Sequence, residues 1–353
     1  MKKIIQTGLL LMLGTVIFGQ RVDLDRLNFT HRYTRVPDIA VDPEYATYSI
    51  HVSKTVSMEY YSNQSVTNMI NIEGRKKVDD RGHIQINVTL QDFMIESSNV
   101  EERIEEVKDK DGKVTGRNYY FKMVVKYSFS AFATVNDYKG SSIRHFPLAG
   151  YNEKKYYSTS EFRTRSEATN FYNNNNLEIK TRLIAEEINK AMTSLNTGLS
   201  YTLGYKTMSE GQHLWNLGSK KHEEYEAYNK ECNQLKSSLE KITANEIPAD
   251  VLTSARSSVD YFNAIAQKFN DPEDKGHKKL RYGAYFNLAA LYFYAEQFDK
   301  AKEYAQMLIT NDYDVKDGEK FLKEIEDIQK DFEKHGIPSR HFYRDVQDAM
   351  PPQ

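Results

Sequence analysis

The feature that most constrains this chain is a change of hydrophobic period near residue 218. Upstream, apolar residues alternate singly: Ile84, Ile86, Val88 and Leu90 interleave with Gln85, Asn87, Thr89 and Gln91. Such patterning sets one face of a strand on a core and the other in water. Downstream, Tyr225, Tyr228, Cys232, Leu235, Leu239 and Ile242 follow at steps of three and four, and Leu252, Ala255, Val259, Phe262, Ala266 and Phe269 repeat that spacing. This is the period of amphipathic helices. The expected fold class is therefore α+β, with an antiparallel β-rich domain at 22–210, an all-helical domain at 218–335 and a tail at 336–353. Gly, Ser and Lys cluster at 206–219, which reads as the linker where proteolysis should cut.

Within the β-rich half, Tyr48, Ile50 and Val52 mark one strand. The alternation from Tyr119 to Ala133 marks another that is too long to stay flat, so a bend or bulge is expected in it. Asp137-Tyr138-Lys139-Gly140 and Asp109-Lys110-Asp111-Gly112 read as hairpin turns. Two helices, at 161–173 and 177–195, are expected to cover the sheet, separated by the run Asn173–Asn176. Tyr201, Leu203 and Tyr205 suggest a closing strand. In the helical half, Pro248 and Asp271-Pro272 end successive helices, and further helices are expected near 279–295, 298–310 and 317–334.

The first residues read as an address. Met1-Lys2-Lys3 precedes an apolar run from Ile4 to Phe18 that ends at Gly19-Gln20, the layout of a secretory signal peptide spanning 1–19. Export to the periplasm is the expectation, and outer-membrane association or secretion is compatible with the same signal. The chain has one cysteine, Cys232, so an intramolecular disulfide is impossible. Its place in a helical apolar stripe makes it a small buried hydrophobe. With 48 Lys+Arg against 50 Asp+Glu, the chain lacks the basic excess of a nucleic-acid binder. No later run is apolar enough to span a membrane, so no transmembrane segment is expected in the mature chain.

Tyr285 to Leu308 resembles a tetratricopeptide repeat. Leu288-Ala289 matches the Leu and small residue of the family's helix A, and Tyr292 its later aromatic. Phe298 matches the aromatic opening helix B, and Ala301 the small residue at the helix crossing. Ala305, Leu308 and Tyr313 depart from the pattern. The segments 220–243 and 250–269 form a degenerate relative of the same unit, and the helix at 317–334 reads as a capping element. As a whole the chain resembles the exported repeat proteins of bacteria with a two-membrane envelope, a group without a common activity. The resemblance implies a groove that grips partner proteins of the envelope, lined here by Gly283, Phe286, Ala290, Phe293 and Tyr294. The alternative for Phe286 and Phe293 is packing against the next helix.

Signatures of chemistry are missing. The sequence has no G-x-S-x-G, H-E-x-x-H, P-loop or G-x-G-x-x-G, and its nine histidines are scattered. The expectation is a non-enzymatic scaffold or adaptor of the cell envelope, with no catalytic residues, metal or cofactor. The alternative is a glycan-binding protein or an enzyme with its site in the β-rich domain, using exposed tyrosines such as Tyr119 and Tyr120.

Overall fold

The computed structural model describes residues 22–55, 58 and 63–352, so the signal peptide expected at 1–19 lies outside the described residues. An N-terminal strand-rich region precedes C-terminal helices, as an α+β chain should. Two compact units divide it: the described residues up to Tyr33 with 208–333 and 337–342, and residues 34–207 with 334–336 and those from Tyr343 onward. This division differs from a split at 210–218. The first strand and most of the segment expected as a linker belong with the helices.

The sheet unit is built on β2 (Thr47–Lys54), β3 (Lys76–Lys77), β4 (Ile84–Lys108), β5 (Val114–Asp137), β6 (Ser142–Ala149) and β7 (Lys155–Ser158). Strand order is β3-β2-β4-β5-β6, with β7 also beside β5. Pairing from β4 onward is antiparallel, but β2 joins both β4 and β3 in parallel. Most of the sheet is antiparallel as expected, and the parallel pairings of β2 are the departure from that expectation. The long connection from β2 to β4, which includes the short helix α1 (Asn63–Asn68), supplies the crossover that a parallel pair needs. The bulges fall on the partner of the strand in which one was expected: at the register shifts Leu90/Asp92 and Ile95/Ser97 the extra residues are Gln91 and Glu96 of β4, opposite consecutive residues of β5.

Ile84, Ile86, Val88 and Leu90 are fully buried, as the alternation requires. They share a core with one face of α2 (Arg165–Leu203), where Leu183, Ile188, Met192 and Leu195 are buried. A capping box opens α2: Thr164 Oγ1 accepts from the Glu167 N–H, and Glu167 accepts from the Thr164 N–H. The expected break at Asn173–Asn176 does not occur. Asn175 donates to the Phe171 carbonyl at 2.7 Å and Asn176 to the Asn173 carbonyl at 3.2 Å, so the amides bond back onto the helix. Nor do residues 201–203 form a strand, because they complete α2 and Gly204 caps it.

Beyond Val100, β4 and β5 run on as a bare hairpin, with residues 101–115 exposed. Its tip is the Asp109–Gly112 turn. Asp109 Oδ1 accepts from the N–H groups of Asp111 and Lys113, and Gly112 takes φ of 81°.

The helical unit comprises α3 (Tyr225–Leu239), α4 (Val251–Ser254), α5 (Arg256–Lys268), α6 (Lys275–Tyr294), α7 (Phe298–Asn311) and α8 (Val315–His335). A two-stranded ribbon of β1 (Leu24–Arg35) and β8 (Lys206–Leu217) completes it. Helices α6 and α7 form the expected hairpin. Ala301 and Ala305 are fully buried, and the Tyr292 and Tyr304 rings stack 5.6 Å apart. Cys232 is buried and donates to the Trp215 carbonyl at 3.1 Å. Among the described residues no helix is long and apolar enough to cross a membrane.

Candidate functional site

Helix α6 is apolar on nearly every side, and Asp274 caps its start by accepting from the Gly276 and His277 N–H groups. The five residues expected to line a groove are all buried in it. The β1–β8 ribbon and α8 lie against the face they occupy. Phe286 stacks on His213 at 5.2 Å and meets Phe321 at 5.5 Å, while Phe293 meets Phe321 at the same distance. Tyr294 packs edge-on against Phe29 at 5.4 Å and against His31 at 4.5 Å. A Cβ added at Gly283 would sit 2.5 Å from the Tyr228 hydroxyl and 3.2 Å from Leu24, so only glycine admits that approach. The groove face is therefore covered by the chain's own ribbon.

A cavity of about 330 Å³ lies between the outer half of the ribbon and α8. Phe286, Phe293 and Tyr294 of α6 line it, whereas Gly283 and Ala290 do not. β1 adds His31 and Tyr33, and β8 adds Glu210, Gln212 and His213. α8 contributes one face carrying Asp317, Lys320, Phe321, Glu324, Asp327 and Ile328, and Arg340 closes the set.

Polar groups around the cavity hold one another in place. The Tyr33 hydroxyl donates to Glu210 Oε1 at 2.8 Å, and the Tyr282 hydroxyl donates to Asp317. Arg340 lies over the rings of Tyr33 and Phe293, 5.0 and 5.6 Å from their centroids. Its Nε donates to Glu296 Oε1 at 3.1 Å, and the Glu296 side chain is only 6% exposed. Burial, with Arg340 and His341 adding to it, pushes the His31 imidazole down to about 3. Burial also lowers His213, as does Arg26. Both rings are held toward their neutral form. Burial raises Tyr294, with Glu324 contributing.

Sequence reasoning located the aromatic wall and missed the rest. The alternation Phe29, His31, Tyr33 was the available sign of β1, and the spacing of Asp317, Glu324 and Asp327 marked one face of α8. Arg340 falls in the segment expected as a tail and carries no local signal. In the sheet unit, Tyr119 is well exposed, but guanidinium groups of Arg103 and Arg163 lie over the Tyr120 ring at 4.3 and 4.6 Å. Among the described residues no cluster of three or more His, Cys, Asp or Glu is arranged to hold a metal ion. No family model matches the chain, and no curated protein matches it either.

Proposed function

We propose that this protein is a non-enzymatic scaffold or adaptor of the cell envelope that holds partner proteins through its helical unit. The observation that carries this reading is the cavity between the β1–β8 ribbon and α8, walled by the aromatic face of α6 and rimmed by charged side chains. Large aromatic rings beside polar groups of fixed orientation are the composition of an interaction hot spot. The ribbon already occupies most of the α6 face, so a partner engages the helical unit at the cavity rather than along a whole groove. Envelope residence follows from the leader-like residues 1–19.

Site-specific crosslinking tests this. A photoreactive benzoylphenylalanine replacing Lys320, at the cavity, should yield defined protein adducts in intact cells. The same residue replacing Lys110, at the hairpin tip, should not. Adducts of equal pattern at both positions would overturn the assignment to the helical unit. No adducts at either, with retention of the protein on a polysaccharide column, would favour a glycan-binding role.

A further inference from the structure

We propose that the cavity beside α8 is a receptor for an organic cation, a primary ammonium or guanidinium, presented on a lysine or arginine side chain of the partner. This rests on the scaffold reading above and names the chemistry by which the partner is held. Three observations support it.

The first is charge. Glu210, Asp317, Glu324 and Asp327 line the cavity against Lys320 and Arg340. Arg340 is already neutralised by the buried Glu296. Lys320 reaches Glu324 at 3.7 Å across an exposed helix surface, where such a pair holds little. Among the described residues no Lys or Arg pairs with Glu210 or Asp327, so negative charge is left in excess.

The second is the wall. Phe286, Phe293, Tyr294 and Tyr33 present rings to the same space, and cations are attracted to ring faces in a partly desolvated site. Arg340 already uses this attraction inside the protein, lying over Tyr33 and Phe293.

The third is His31, which is 3% exposed and lines the cavity. Its Nε2 has no hydrogen-bond partner. A neutral imidazole adds no positive charge to repel a cation, and its unprotonated nitrogen is an acceptor for N–H groups. The volume, about 330 Å³, is at the small end of ligand cavities, which run from ~300 to ~1,000 Å³. That suits one long side chain and excludes a folded element. Arg340 Nη2 also lacks a partner, which by itself would suit an anion. Glu296 Oε2, on the residue that pairs with Arg340, lacks one too, so the pair carries no surplus positive charge.

The test uses the full mature chain in calorimetric titrations at low salt. The probes are blocked tripeptides Gly-Lys-Gly and Gly-Arg-Gly, the Nε-acetyl-lysine tripeptide, Gly-Glu-Gly, and free cadaverine. The lysine and arginine peptides should bind, and acetylation should weaken binding at least tenfold. Glu210→Gln combined with Asp327→Asn should cost a similar factor while thermal unfolding stays unchanged. Phe293→Leu, which keeps apolar volume and removes the ring, should weaken binding in a chain that still folds. Equal binding of the acetylated peptide would overturn the proposal. So would binding of the glutamate peptide that is lost in Arg340→Gln. Failure of every basic probe, with crosslinked partners persisting at position 320, would overturn the cation site and leave the scaffold reading standing. Tight binding of cadaverine with no binding of the peptides would overturn presentation of the cation on a partner's side chain.

Discussion

The side-chain amide of Asn287 is bonded twice to the backbone of Trp215: its Oδ1 accepts from the N–H at 2.7 Å, and its Nδ2 donates to the carbonyl at 2.9 Å. Asn229 does the same for Leu217, at 2.8 and 2.9 Å. Two asparagines, one on α6 and one on α3, thus act as surrogate strands that dock β8 on the helices. Asn287 is fully buried, so its loss leaves the Trp215 N–H without this acceptor and the Trp215 carbonyl with only the weaker thiol bond from Cys232 at 3.1 Å.

Replacing Asn287 with leucine should therefore cost more than its lost packing. Each orphaned buried backbone group costs about 1–3 kcal/mol. Denaturant unfolding should show a loss of roughly 2–4 kcal/mol. Trp215 is the chain's only tryptophan, so its fluorescence reports whether β8 detaches before the helices unfold. An Asn287→Leu protein with the parent's midpoint would refute the docking role.

Phe286 is buried among His213, Trp215 and Phe321. Its replacement by alanine should destabilise the helical unit by about 3–5 kcal/mol. Gly283→Ala, by driving a Cβ into the Tyr228 hydroxyl, should cost about 1–3 kcal/mol. Both effects are measured by thermal melts. A neutral Phe286→Ala would mean that this face of α6 is open to solvent.

Acid should destabilise the helical unit, and the sign follows from His31. Its folded value is about 3 against an ordinary 6.5. Between those limits the unfolded chain binds a proton that the native state refuses, so stability falls as pH is lowered. The contribution is complete above about pH 6.5. Denaturation midpoints should drop steadily from about pH 7 to about pH 4, and His31→Phe should flatten part of that slope. An unchanged slope in His31→Phe would move the effect to His213, His222 and His341, which burial also lowers.

Limited trypsin digestion should cut first at Lys108, Lys110 or Lys113, on the exposed hairpin tip. The 206–219 segment should resist, because it forms β8 and buries Leu214 and Leu217. Early cleavage at Lys206 or Lys220 would contradict the docking of that strand.

Where one face of an element meets a core, the sequence was readable. Ile84 to Leu90 and the stripes of α3 and α5 stand where their periods place them. The errors have physical causes. Asn173–Asn176 reads as a break because asparagine favours turns, yet in α2 two of those amides bond to helix carbonyls instead. Strand β8 reads as a linker because its partner, β1, lies far away in sequence, and local composition does not encode a distant pairing. The cavity was half legible. Phe286, Phe293 and Tyr294, three of the five residues singled out in the sequence, line it, but most of its acidic rim lies on a face of α8 that looks, by itself, like an ordinary solvated surface.

Most of the sheet unit is inserted in sequence between the two strands of the ribbon, and this has a kinetic consequence. Joining β1 to β8 through roughly 170 disordered residues costs about 2.5 kcal/mol more in chain entropy than through ten. Folding of the inserted unit removes most of that cost, because its own ends are tied: the Asp38 and Ile39 N–H groups donate to the carbonyls of Tyr201 and Thr202 at 3.0 and 3.1 Å. The favoured order is insert, then ribbon, then helical layer. Pulse-labelled hydrogen exchange should accordingly protect the amides of β4 and β5 before those of residues 24–33. In a chain made from its N-terminus, the first strand to emerge is among the last to find its neighbours.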